Sequence, residues 1–114
     1  MEKSYDFSLM IIELYKFLTL EKKEYVLSKQ LLRCGTSIGA NINEAQAAIS
    51  KKDFIAKVSI SSKEARESKY WLMLLKDSGY IDPRKQKVKK LLEEVDSLIN
   101  ITTKIVKSSQ ENEK

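Results

Sequence analysis

Apolar residues recur along this chain at steps of three and four, and nowhere alternate in the two-residue rhythm of a half-buried strand. Phe7, Met10, Ile11, Leu14, Phe17 and Leu18 form a first amphipathic stripe, with Glu13 and Lys16 outside it, and predict a helix from about Lys3 to Leu18. Thr19 to Lys23 is polar and reads as a short link. Leu27, Leu31, Cys34, Ile38, Ile42, Ala45 and Ile49 predict a second helix from about Glu24 to Ile49. A third, from about Lys51 to Ser78, places Phe54, Val58, Ser61, Ala65, Leu72 and Leu75 on one face. The fourth carries Val88, Leu91, Leu92, Val95, Leu98, Ile99, Thr102, Ile105 and Val106 at a spacing near 3.5 residues.

The punctuation agrees with this division. Ser50-Lys51-Lys52-Asp53 has the S-x-x-D form of a helix start and predicts a tight turn between the second and third helices. Gly79 predicts a C-terminal stop, with Tyr80 and Ile81 closing over it. Asp82 and Pro83 predict the cap and first position of the fourth helix, where proline's missing N–H is not needed. Four helices with short links imply antiparallel neighbours. The expected fold is therefore all-α, an antiparallel up-down-up-down four-helix bundle over residues 1–109, with a frayed tail at 110–114.

The second helix is unusual in composition. Gly35 and Gly39 each cost a helix interior about 1 kcal/mol relative to alanine, and Thr36, Ser37, Asn41 and Asn43 compete for backbone hydrogen bonds. Small residues at these positions admit a neighbouring helix at close range, and the serines of the third helix make it a partner. Arg33, Ser37, Asn41 and Glu44, with Ser61 and Glu64 opposite, are expected to form a structural polar network. Asn41-x-x-Glu44 and Glu64-x-x-Glu67 also resemble the paired acidic motifs with which MazG-like pyrophosphohydrolase bundles hold magnesium. The further carboxylates of those enzymes are missing, and Lys63 and Arg66 crowd the second pair. Trp71 and Tyr70 read as packing groups.

Composition narrows the chemistry. Of 114 residues none is histidine, which removes the commonest general base and metal ligand. No phosphate-cradling glycine loop is present. Neither a catalytic residue, a cofactor nor a metal is expected. The one cysteine, Cys34, can form no bridge within the chain and reads as a small buried hydrophobe in a reducing, cytoplasmic setting. The opening MEKSYDFSL has charges where a signal peptide is apolar, and no apolar run reaches membrane length. The net charge of +5 is uneven: residues 1–49 carry six basic and six acidic side chains, residues 50–114 fifteen and ten. Five cations fall within the seven residues from Arg84 to Lys90, an asymmetry that suits a polyanionic partner.

Across nearly its whole length the chain resembles the bacterial four-helix proteins encoded in intervening sequences of large-subunit ribosomal RNA genes, relatives of the accessory variability determinant proteins of diversity-generating retroelements. Arg33, Ser37, Ile38, Asn41, Ile42 and Glu44 match the family's R-S-x-x-S-I-x-x-N-I-A-E-G run, as do Phe54, Ser61 with Glu64, and Gly79-Tyr80-Ile81. Ala45 stands where that run has glycine, and Cys34-Gly35 replaces Ser-Ala. The resemblance implies a homopentamer without catalysis that binds nucleic acid and, in the retroelement branch, a reverse transcriptase. Structured RNA or RNA–DNA is the expected ligand. Lys51, Lys52, Arg84, Lys85, Lys87, Lys89 and Lys90 are the expected phosphate contacts. A protein-binding module without nucleic acid is the competing expectation.

Overall fold

The computed structural model describes residues 2–113 and consists of four helices: α1 Glu2–Leu20, α2 Leu27–Gln46, α3 Lys51–Asp77 and α4 Gln86–Glu113. Met1 and Lys114, the first residue of the expected domain and the last of the expected tail, lie outside the described residues. The helices pack α1 on α2, α2 on α3, α3 on α4 and, more sparsely, α4 on α1, the adjacency of an up-down-up-down bundle. The body measures 49 × 21 × 21 Å. Phe7, Ile11, Leu31, Ile38, Leu72, Leu75, Val95 and Leu98 lie at its centre with almost no exposure.

Both glycines of α2 face α1. A Cβ on Gly35 would stand 2.9 Å from Cγ1 of Ile11, and one on Gly39 would stand 3.3 Å from the Ser4 carbonyl oxygen. Propensity is thus given up for close approach of two backbones. The serines of α3 contact the opposite side of α2: Ser61 Oγ donates to the Ile38 carbonyl at 2.9 Å, and Ser68 Oγ lies 3.3 Å from Cys34 Sγ. Small residues therefore act on two flanks of α2, toward α1 as well as the expected α3.

The ends of the helices separate expectation from structure. Ser50 caps α3, accepting the Asp53 N–H at 3.0 Å. Gly79, at φ +87, lets Tyr80 N–H reach the Leu75 carbonyl and its own N–H the Lys76 carbonyl, a Schellman stop. In contrast, α2 starts at Leu27, three residues past the expected Glu24. The Glu24 carboxylate sits outside the helix and accepts from the N–H groups of Val26, Leu27 and Ser28 at 2.9, 3.0 and 2.7 Å. α2 also ends early, at Gln46, which leaves Ile49 97% exposed rather than on the core stripe. Asp82 does not cap α4: Asp82 to Lys85 form a turn closed by Lys85 N–H to Asp82 O at 3.0 Å, with Pro83 at its second position, and the helix begins at Gln86. At the other end α4 continues to Glu113, past the point where the sequence places a tail.

Candidate nucleic-acid interface

The helix directions divide the cations expected to act together. Lys51 and Lys52 begin α3, whereas Arg84 to Lys90 lie beyond its C-terminus; 27 helical residues at about 1.5 Å each put roughly 40 Å between the two groups. Each end of the bundle therefore has its own cationic cluster.

At the α4 N-terminal end the five cations are not equivalent. Arg84 makes a two-pronged bond to Asp82, Nε to Oδ1 and Nη2 to Oδ2, both at 3.1 Å. The guanidinium and the Arg84 backbone N–H together hold the Asp82 carboxyl below its ordinary pKa, and Asp82 in turn raises that of Arg84. Lys87 Nζ lies 2.7 Å from Glu13 on α1, and this hydrogen bond and charge lower the pKa of Glu13. Lys85, Lys89 and Lys90 are exposed and make no ion pair among the described residues. Because α1 and α4 touch sparsely, a groove of about 780 Å³ opens between them. Met10, Leu14, Phe17 and Tyr80 form apolar parts of its wall, and Lys85 and Lys90 line it beside the paired acids Glu13 and Asp82. Lysines beside an apolar wall are an arrangement that holds phosphates next to unstacked bases.

At the opposite end Lys51 and Lys52 are exposed on the first turn of α3, again without an ion pair among the described residues. A second groove, of about 410 Å³, lies between α3 and α4, lined on α3 from Ser59 to Arg66. Its polar walls come from residues some forty positions apart in sequence, which periodicity alone could not join.

The residues expected to form one polar network fall into separate pairs. Arg33 reaches across from α2 to α3, where Nη1 pairs with Glu64 at 3.2 Å and Nη2 with Glu67. Trp71 Nε1 donates to the same Glu67 at 3.1 Å, so that indole is held in the helix packing, edge-on to Tyr70. Ser37 and Asn41 turn inward on their own helix, to the carbonyls of Arg33 and Ser37 respectively. Glu44 lies on Lys57 at 3.0 Å. With Glu64 and Glu67 held by Arg33 and Glu44 by Lys57, the four residues of the magnesium-like motif do not converge. Among the described residues no three Cys, Asp or Glu side chains are grouped for a metal.

Residues 1–104 match the family model of the 23S rRNA-intervening sequence protein. The chain belongs to that family. A crystal structure of a protein of unknown function from the S23 ribosomal protein family of Bacteroides thetaiotaomicron superimposes with a TM-score of 0.87 at 45% identity, covering 93% of this chain and 96% of that one. No curated protein matches. No helix among the described residues is long and apolar enough to cross a membrane.

Proposed function

We propose that this member of the intervening-sequence family is a non-enzymatic, oligomeric helical bundle that binds structured RNA or RNA–DNA through its cationic ends. The observation that carries the reading is the pair of clusters, Lys51 with Lys52 and Lys85 with Lys89 and Lys90, which make no ion pair among the described residues while Arg33, Lys57 and Lys69 are neutralised by neighbouring carboxylates. Unpaired cations gain most from phosphate, because binding there displaces counterions without breaking an internal pair. Arg84 and Lys87 join the surface by exchanging Asp82 and Glu13 for phosphate oxygens.

Self-association is part of the proposal, as a pentamer in line with the family resemblance. Tyr5, Leu9, Ile12 and Leu20 recur along the outer side of α1, away from buried Phe7, Ile11 and Leu18, at 65, 50, 37 and 67% exposure. An apolar stripe of that length suits contact between subunits. A ring of parallel bundles would repeat the same cationic cluster around each end face, and a reverse transcriptase engaged with the same RNA is the protein partner proposed for it.

The test is charge reversal at Arg84, Lys85, Lys87 and Lys90 to glutamate, read as anisotropy of a fluorescein-labelled structured RNA across a salt series. Affinity of the native chain falls steeply with salt, and the variant loses binding. Unchanged affinity in the variant would overturn the assigned surface. Salt-insensitive capture of a protein with no RNA retained would favour the protein-binding module instead.

A further inference from the structure

The groove between α3 and α4 is lined, Val106 apart, by residues that carry hydrogen-bond donors, on stems that leave much of its surface apolar. Ser59, Ser62, Lys63 and Arg66 line it from α3, and Thr103 and Lys107 from α4; among the described residues no acidic side chain lines it. Arg66 Nη2 donates to Thr103 Oγ1 at 2.8 Å, and Ser62 Oγ lies 3.4 Å from the same hydroxyl. One of the guanidinium's five N–H groups is thereby tethered across the helix pair and the plane is oriented, with the other donors available. Lys63 and Lys107, like Arg66, make no ion pair among the described residues.

The groove lies in line with one of the cationic ends. Lys52, Ser59, Lys63 and Arg66 follow at steps of seven, four and three residues and so share one stripe of α3, about 21 Å long at 1.5 Å per residue. Thr103 and Lys107, four apart, form the facing wall on α4. The result is a cationic, hydroxyl-bearing track open along one side, with Lys52 further along the same stripe of α3.

We propose that this α3–α4 groove is a second nucleic-acid site, taking the sugar-phosphate backbone of a single strand, with Arg66, Lys63 and Lys107 on phosphate oxygens and the serine hydroxyls on sugar and phosphate. This rests on the reading of the chain as a nucleic-acid binder and adds residues that neither the basic run nor the family motif includes. Backbone recognition of this composition carries no base specificity, so the groove accepts any sequence and its affinity is set by salt.

The experiment compares the native chain with Arg66→Gln/Lys107→Gln, with a control of equal charge loss, Lys16→Gln/Lys29→Gln, and with the four-site reversal at Arg84 to Lys90, using a fluorescein-labelled single-stranded RNA. For single strands each phosphate contact contributes about 0.7 to the slope of log affinity against log salt, so losing two lowers the slope by about 1.4 and the affinity about 25-fold at 0.1 M salt. The groove variant shows that loss; the control keeps the native slope. All four replaced side chains are exposed, and circular dichroism verifies that each variant folds. An unchanged slope in the groove variant, or an equal loss in the control, overturns the groove while leaving the Arg84–Lys90 reading to stand on its own variant. Absence of RNA binding by the native chain at low salt overturns both.

Discussion

Glu24 is the side chain whose replacement measures most directly how α2 is started. Three N–H groups at the head of a helix otherwise lack partners, and here one carboxylate takes those of Val26, Leu27 and Ser28. Glu24 is 8% exposed, so water replaces it poorly at the buried Ser28 N–H and readily at exposed Val26. One lost cap costs about 1 kcal/mol, and bonds to a charged acceptor somewhat more, which gives Glu24→Ala a cost of about 2 kcal/mol. For a domain of this size that corresponds to about 8 °C in melting temperature. The charge adds a pH signature. Burial opposes ionisation of Glu24, but the three backbone N–H bonds outweigh it and the pKa in the folded chain lies below its ordinary value. A depressed carboxyl stabilises the fold above the unfolded pKa, near 4.3, and that contribution fades as pH falls through the folded one. Glu24→Gln removes the charge and imitates the protonated acid. In urea denaturation series the gap between native chain and Glu24→Gln is therefore constant above about pH 5 and closes at lower pH. A gap that stays the same at about pH 3, or an alanine variant within about 0.5 kcal/mol of native at neutral pH, would refute the capping role.

Three further outcomes follow from the packing and the acids. Gly35→Ala destabilises the native chain by about 1 kcal/mol, because its Cβ would meet fully buried Ile11 at 2.9 Å, yet in an Ile11→Ala background the same change stabilises by roughly the helix propensity of alanine; thermal denaturation of the double-mutant cycle reads the sign reversal. Burial raises the pKa of the Cys34 thiol, so an aromatic disulfide reagent at about pH 8 labels it only after denaturant is added, and rapid labelling of the folded chain would contradict the packing. Glu44→Gln loses one solvent-exposed contact to Lys57 and leaves both the melting temperature and its response to magnesium unchanged, whereas a magnesium-dependent rise in the native chain abolished in the variant would reinstate the metal motif.

The number, order and polarity of the helices were legible because each signal was local. Ser50 with Asp53 and Gly79 with Tyr80 lie within five residues of what they cap, and the stripes of α3 and α4 repeat over several turns. The start of α2 was hidden because glutamate is not a favoured cap and acts here from outside the helix. Asp82-Pro83 misled for a different reason: the same dipeptide suits a helix start and a type I turn, and the Asp82 carboxylate is taken up by the N–H and guanidinium of Arg84, before α4 begins at Gln86. The chemistry of the surface was legible only in part. A run such as Arg84 to Lys90 is visible as charge, but that Glu13 neutralises Lys87, and that Lys51 and Lys52 stand at the far end of the molecule, are consequences of helix direction, while the Asp82–Arg84 pair is set by the turn between them. Arg66 against Thr103 joins residues 37 apart and has no linear signature.

The central claim, a basic oligomer that carries nucleic acid, is tested most directly by the solution mass of the purified chain, from size exclusion with light scattering at low and high salt, with absorbance at two wavelengths recorded across the peak. The expected result is five times the 13.1 kDa chain mass, with nucleic acid present at low salt and released at high salt. A 13.1 kDa monomer with the absorbance of protein alone at both salts would contradict it.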